Sequence, residues 1–185
     1  MNKVIKIGLS EKSFKYAIKE VRKYKEELLE RVDLFVQRLA EAGVKIAKAQ
    51  IKELDATLSF ELMGSMGFKP GDVISNGSQW IVYTDCPWAA FVEFGTGFQG
   101  ATNPHPEAEG WTYDVNDHGR AGWWYVCPPE LAGLVEAGTA VRESRDGTLL
   151  VWTNGMPSRP FMHNTALALN DGNLISEIAK EVFGG

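Results

Sequence analysis

The sequence is short of cysteine and has no long apolar run. Cys86 and Cys127 are the only cysteines among 185 residues, which is too few for a disulfide framework and lacks the spacing of a zinc site. No stretch approaches the ~20 apolar residues of a membrane span, and residues 1–8 lack the apolar core of a signal peptide. We therefore expect a soluble, non-secreted protein in a reducing compartment, with no membrane partner.

Motifs of known enzyme classes are missing as well. The sequence has no G-x-S-x-G elbow, no phosphate-binding Gly-Lys-Ser/Thr loop, and no Cys or Ser with a partner at a recognisable spacing. Gly95, Gly97 and Gly100 spell G-x-G-x-x-G, but a dinucleotide site needs a helix there, and we expect Pro104 and Pro106 to forbid it. These absences predict a protein that is not an enzyme, with no catalytic residue and no cofactor.

A net basic charge, which a nucleic-acid-binding domain is expected to carry, is also missing. The formal net charge is −5. It is unevenly spread, because residues 1–54 carry +5 and the remaining residues carry −10. The two parts can attract each other within one subunit or between neighbouring subunits. The plainer interpretation is a solvated basic helix face beside an ordinary acidic surface.

The chain begins with a long helical pattern, which Ser10 is placed to cap and which continues to about Leu54. The part from Tyr24 to Ile51 alone would be ~42 Å long, more than a small sheet can cover. Either part of the helix packs on a neighbouring subunit, or it breaks, near Arg22 to Tyr24 or at Gly43, and stays within the monomer. The apolar face comprises Phe14, Ile18, Val21, Leu28, Val32, Phe35, Leu39, Ile46 and Ile51.

From Thr57 the period changes towards two, as in strands. Asn76-Gly77 between Asp72–Ser75 and Ser78–Tyr83 is a strong hairpin signal, because both turn residues tolerate positive φ. We predict a buried strand over Gln79–Thr84. Two later runs, Trp123–Cys127 and Leu149–Thr153, are expected to add strands.

These patterns predict an α+β fold in which the long N-terminal helix packs on an antiparallel β-sheet. A chain of this length forms a single domain by default. Within it we assign residues 1–54 to the N-terminal helical segment. Residues 55–169 hold the sheet, a central motif and an aromatic-rich loop, and residues 170–185 form a C-terminal helix.

The central motif is the stretch Trp-Ala-Ala-Phe-Val-Glu-Phe-Gly-Thr-Gly over Trp88–Gly97. Asp85 and Pro87 predict a short helix beginning at Pro87, and Gly95 is suited to the positive φ that ends it. The alternative is a strand that ends in a Gly-Thr-Gly turn. Glu93 lies among aromatic residues, and an ionised carboxylate in such surroundings needs a partner.

The aromatic-rich loop, residues 98–129, contains residue types that bind metals, but no two histidines share the helical spacing of a preformed site. We expect polar loop residues and no metal. Two other functions remain open: a metal-dependent hydrolase that uses this loop, and a binding module that uses its tryptophans. The candidate ligands are His105, Glu107, Glu109, Asp114, Asp117 and His118.

A second motif, Gly-Met-Pro-Ser-Arg-Pro-Phe-Met, occupies residues 155–162. Its two prolines predict an extended path, followed by helices over Phe161–Leu169 and Asn173–Phe183. Arg159 has a restricted backbone and a planar guanidinium suited to a carboxylate. We hypothesise that Arg159 pairs with Glu93 and locks the second motif against the central helix.

Together the two motifs resemble those of the tail-component family of long-tailed bacteriophages. The resemblance implies a structural protein of the head-tail neck or tail terminus, of phage or prophage origin, which forms a ring that completes the tail or joins it to the head. It implies self-association, six-fold in relatives, and contact with other neck, connector or tail-tube proteins. The expected location is the virion, and the host cytoplasm during assembly.

The same resemblance implies that DNA passes through the ring without specific binding, and we expect the acidic excess to line such a channel because it repels phosphates. It also marks the two motifs as an assembly and structural surface. Their residues are Glu93, Phe94, Gly95, Thr96, Gly97, Pro157, Arg159, Pro160 and Phe161.

Overall fold

The computed structural model describes residues 4–56, 60–72, 78–135 and 138–184. The chain divides into two compact units, each built from separated parts of the sequence. Unit 1 takes in the described residues of Met1–Lys45, Gly67–Tyr83 and Leu167–Gly185, and unit 2 those of Ile46–Met66 and Thr84–Ala166. The fold is α+β, as predicted, with a long N-terminal helix and antiparallel pairing of strands. The single domain stays a prediction.

The elements follow one another along the chain in a mixed order. The helices are α1 (Glu11–Glu53), α2 (Phe60–Ser65), α3 (Ala89–Phe94), α4 (Gly97–Thr102), α5 (Phe161–Leu169) and α6 (Gly172–Phe183), with a 3₁₀ helix over Pro129–Leu134. The strands are β1 (Met66–Pro70), β2 (Trp80–Thr84), β3 (Trp123–Val126), β4 (Val141–Glu143), β5 (Leu149–Thr153) and β6 (Gly155–Met156).

Helix α1 runs for 43 residues without interruption, so neither of the breaks considered from the sequence occurs. The Ser10 hydroxyl accepts a hydrogen bond from Ser13 N at 3.3 Å, which confirms the predicted cap. Gly43 lies inside this helix, where its missing side chain lets other parts of unit 1 approach closely. A Cβ there would lie 2.9 Å from Val82 Cγ2 and 3.0 Å from Leu169 Cδ1.

Unit 1 packs β2 and α6 against α1. Trp80 Nε1 donates a hydrogen bond to Asp33 Oδ1 at 3.0 Å, and the rings of Phe35 and Phe183 are 5.8 Å apart. These contacts place the long helix on a sheet, as predicted. The earlier part of the apolar face is left uncovered, since Phe14, Ile18, Val21 and Leu28 are exposed.

The segment before β2 differs from the prediction. Phe60–Ser65 is helical, where the period-two pattern predicted a strand. The strand paired with β2 is β1, which ends at Pro70. Residues 73–77, which include most of the predicted strand Asp72–Ser75 and the Asn-Gly turn, lie outside the described residues. Strand β2 is half-buried, not buried, because it belongs to a sheet of two strands.

Unit 2 contains the predicted β3 and β5 in an antiparallel sheet of order β3-β5-β4. The register pairs Trp124 with Trp152 across β3 and β5, and their rings are 5.3 Å apart. Arg142 of β4 places its guanidinium 4.4 Å from the Trp124 ring centre. The end of α1 joins this unit, where Ile51 is fully buried. Aromatic rings therefore hold the sheet together on one face.

Leucine at position 43 should be destabilising although leucine favours helices. The two side chains that approach Gly43 would have to move, and we expect a loss of about 1–3 kcal/mol in the free energy of unfolding. Gly64→Leu is the matched control, because nothing lies within 4 Å of a Cβ at that helical position. Urea unfolding followed by circular dichroism measures both. Equal effects of the two variants would contradict close packing at Gly43.

Candidate functional site

The central motif forms α3, which begins at Ala89 and not at Pro87. The structure places Pro87 and Trp88 in a turn, and Trp88 occupies the N-cap position without a side-chain cap. Ala89 N donates to Cys86 O at 3.1 Å, which closes this turn before the helix starts. Gly95 ends the helix at φ 83°, as predicted. Only glycine fits here, since a Cβ would lie 2.7 Å from Ser158 N.

A second short helix, α4, opens at the second glycine of the G-x-G-x-x-G pattern. The expectation that the following prolines forbid a helix is therefore wrong, because they begin at Pro104, after α4 has ended at Thr102. The pattern still does not resemble a phosphate cradle. Gly97 N already donates to Tyr113 O at 2.7 Å, and a Cβ at Gly100 would meet the Tyr113 ring at 2.7 Å.

The two motifs meet through their backbones. Thr96 bridges to Met156, and Gly97 to Gly155, in antiparallel fashion. Met156 N also donates to the Thr96 hydroxyl at 3.3 Å. Gly155 has φ 102°, and a Cβ there would overlap Thr96 O. This junction accepts no side chain at Gly155.

Beyond the bridges, the second motif follows α3 in the extended path that its prolines predict. Ser158 Oγ donates to Glu93 O at 2.5 Å, and Arg159 N donates to Val92 O at 2.9 Å. These bonds satisfy carbonyl groups at the end of α3. Pro157 and Pro160 flank them, and Phe161, the first residue of α5, is fully buried.

The Glu93 carboxylate lies at the N-terminus of α5 and is only 6% exposed. Its Oε2 accepts a hydrogen bond from Met162 N at 2.8 Å, and its Oε1 accepts one from His163 N at 2.9 Å. Both donors belong to the first turn of α5, where backbone N–H groups have no partner within the helix. The helix dipole also favours a negative charge at this end. Glu93 therefore caps a helix from a distant part of the chain.

His105 provides a third donor to this carboxylate and is 5% exposed. Its Nε2 lies 3.1 Å from Glu93 Oε1, while its Nδ1 accepts a hydrogen bond from Glu107 N at 2.9 Å. Because an accepting ring nitrogen carries no proton, this arrangement requires the neutral tautomer with the proton on Nε2. His105 acts as a hydrogen-bond donor that positions the carboxylate.

Aromatic rings shield the carboxylate. Phe94 lies between His105, at 4.4 Å, and Trp111, at 4.8 Å, with the Trp111 ring stacked upon it. Trp111 Nε1 donates to Gly95 O at 3.1 Å, which ties the loop to the central motif. His163 packs edge-on against His105 at 5.2 Å. This low-dielectric setting strengthens the hydrogen bonds to Glu93.

The predicted ion pair between Glu93 and Arg159 is wrong within the chain. Among the described residues, the side-chain hydrogen-bond partner of the Glu93 carboxylate is His105, and the second carboxylate oxygen is held by a backbone amide. Arg159 contributes its backbone N–H to the junction instead. The helix N-terminus offers several donors already fixed in position, whereas a guanidinium has to be ordered first. The second motif is thus locked to the central helix by other donors than we hypothesised.

Of the remaining candidate ligands, Asp114 and His118 are joined by a local hydrogen bond, and Glu107 Oε1 lies 3.8 Å from His163 Nδ1. Asp114 Oδ1 lies 2.9 Å from His118 Nδ1, and Asp114 Oδ2 accepts from Gly119 N at 2.7 Å. Hydrogen bonds from the His118 and Gly119 backbones, together with the His118 ring, hold the pKa of Asp114 below its ordinary value. In the described ranges no three His, Cys, Asp or Glu side chains converge as metal ligands would.

The two cysteines lie in unit 2 as buried free thiols. Burial is the main cause that raises the pKa of Cys86. Within the described part of the chain, the helices are too short or too polar to span a lipid bilayer.

A cleft of about 320 Å³ opens beside the junction in unit 2. Trp88, at the N-cap position of α3, and Phe91, within α3, line it, and both are exposed. Val115 and Tyr113, from the aromatic-rich loop, line another part. The Tyr113 hydroxyl oxygen is buried, and no described residue partners it. The lining is mostly apolar, so the cleft suits aliphatic side chains more than charged ligands.

Comparison of the chain with protein-family models, with curated proteins and with solved structures gave no match.

Replacing Glu93 should reveal its role as a remote cap. Glu93→Ala leaves three donors without their acceptor, and we expect a loss of about 3–5 kcal/mol in the free energy of unfolding. Glu93→Gln keeps one oxygen but turns an N–H group towards another donor, so a loss of about 1–3 kcal/mol is expected. Arg159→Ala is the control, since it keeps the backbone N–H, and it should cost less than about 1 kcal/mol. Urea unfolding followed by tryptophan fluorescence measures all three. An Arg159→Ala loss as large as that of Glu93→Ala would show that the guanidinium holds the carboxylate.

Tyr113→Phe should not destabilise the protein. A buried hydroxyl without a partner costs about 1–3 kcal/mol, so its removal is expected to leave the free energy of unfolding unchanged or to raise it. Thr165→Val is the contrasting variant, because the Thr165 hydroxyl donates to Phe161 O at 2.7 Å and is buried. That variant should lose stability in the same unfolding experiment. A clear loss for Tyr113→Phe would mean that the hydroxyl has a partner in solution.

Proposed function

We propose that this chain is a structural protein of a bacteriophage or prophage. It forms a homo-oligomeric ring in the head-tail neck or at the tail terminus, where it completes the tail or joins it to the head. The observation that carries this proposal is the junction of the two motifs. Residues 88–97 and 155–161, on which the resemblance to tail-component proteins rests, are joined by hydrogen bonds into one unit in which Glu93 caps α5.

The surface chemistry supports self-association. The first half of α1 exposes an apolar stripe of Phe14, Ile18, Val21 and Leu28, and contiguous exposed apolar area is typical of interaction sites. The basic N-terminal part and the acidic remainder of the chain provide charges of opposite sign for contacts between neighbours. Such unlike surfaces give head-to-tail contacts, which close into rings when the rotation permits.

The polar groups support a structural function over the hydrolase alternative. The Glu93 oxygens are occupied by donors from α5 and His105, and Asp114 is bonded to His118 and Gly119. Both carboxylates thus stabilise the chain. Other neck, connector or tail-tube proteins are the proposed partners, and DNA would pass the ring without specific binding. The cleft lined by Trp88 and Phe91 favours one further function, that of a module binding an apolar segment of a protein.

Experiments on phage particles and on the purified protein test the proposal. Particles made by the phage or prophage that encodes the chain should contain it, and a deletion should leave heads and tails unjoined or tails of abnormal length. The native mass of the assembled protein should correspond to several copies of the 20.5 kDa chain, about 123 kDa for six. Dissociation at high salt is expected if unlike charges hold the copies together. The proposal would be overturned if purified particles lack the protein and if the phage remains infectious after the protein is deleted.

A further inference from the structure

We propose that the cleft of unit 2 binds the N-terminal arm of a second copy of this chain. The arm is defined here as residues 4–10, which precede α1. This inference rests on the proposed self-association and assigns one of its contacts to named residues.

The arm carries apolar side chains that nothing in its own unit covers. Ile7 is 57% exposed and Leu9 is fully exposed. The arm contains neither helix nor strand, and Gly8 N donates to Ser13 Oγ at 2.7 Å. Binding would replace this exposed hydrogen bond with an extended conformation in which residues two apart lie on the same side. Ile7 and Leu9 then form a pair of anchors about 7 Å apart.

The cleft has the size and the chemistry for such a pair. Its volume of about 320 Å³ is enough for two or three aliphatic side chains, and its lining is mostly apolar. Val115, at one side of the cleft, is 71% exposed. The described structure therefore leaves both surfaces unfilled, the arm and the cleft, and each exposes apolar area to water. Burying the two against each other removes that area from water.

The charges around the two surfaces are complementary. The cleft lining contains the acid Asp114 and no lysine or arginine, and Asp117 lies between the lining residues Asn116 and His118. The arm contains Lys6 and no acid, and Lys12 follows it at the start of α1. An acidic rim attracts a basic apolar arm and repels acidic segments. This complementarity favours the arm of a second copy as the occupant.

The first experiment measures self-association of the full chain by light scattering over a range of concentrations. Leu9→Glu should raise the dissociation constant at least about tenfold, because a carboxylate replaces an apolar anchor beside an acidic rim. Leu167→Glu is the matched control, since Leu167 is also exposed but lies outside the arm, and it should change little. Val115→Glu, in the cleft, should also raise the dissociation constant. Val141→Glu is its control, because Val141 is another exposed valine.

The second experiment mixes the two defective chains. The Leu9→Glu chain keeps an intact cleft, and the Val115→Glu chain keeps an intact arm, so one arm-to-cleft contact becomes possible between them. We expect a mixed pair to form, whereas each variant alone stays monomeric. An arm that contacts another arm, or that folds onto its own chain, gives no such rescue.

Each outcome decides the inference. Unchanged association of Leu9→Glu, an equal loss with Leu167→Glu, or no mixed pair would overturn the arm contact while leaving self-association, and with it the proposed ring, in place. A wild-type chain that stays monomeric even at millimolar concentration would overturn the arm contact too. The proposed function would then still be decided by the presence of the protein in virions.

Discussion

A carboxylate buried among aromatic rings has to be stabilised by hydrogen bonds, and in this chain that requirement joins two distant segments. Glu93 accepts bonds from backbone amides that lie 69 and 70 residues further along the chain. The acid thereby satisfies the first turn of α5, which would otherwise be left with unpaired N–H groups. Each side of the contact removes the cost of burying the other. The end of α3, the second motif and the start of α5 therefore hold together as one structure.

The aromatic-rich loop contributes side chains to this junction. Trp111 stacks on Phe94 and donates to Gly95 O, while His105 reaches the carboxylate itself. Excluding water strengthens the hydrogen bonds at Glu93, but it also makes an unpaired donor there expensive. His105, Asp114 and His118, which were candidate metal ligands, thus have structural partners. The side of the loop that faces the cleft, around Val115, remains exposed.

Local patterns predicted much of the fold. Helical periodicity and the Ser10 cap identified α1, runs of apolar and aromatic residues identified β3 and β5, and Gly95 takes the positive φ expected of it. The partners of Glu93 could not be predicted in this way. A sequence shows which side chains are charged, but it does not show which backbone N–H groups lack a partner at the start of a helix. One signal was available: Pro160 precedes α5, so the helix has no local side-chain cap and needs a remote acceptor. His105 gave no comparable signal, since its position depends on how the loop folds.

The backbone bridges between Thr96 and Met156 and between Gly97 and Gly155 close a large loop. The entropy of closing a flexible loop grows only with the logarithm of its length, so that a doubling costs about 0.6 kcal/mol. Sequence inserted between the two bridged segments would therefore weaken the closure only slightly, provided that the hydrogen bonds of His105 to Glu93 and of His118 to Asp114 are kept.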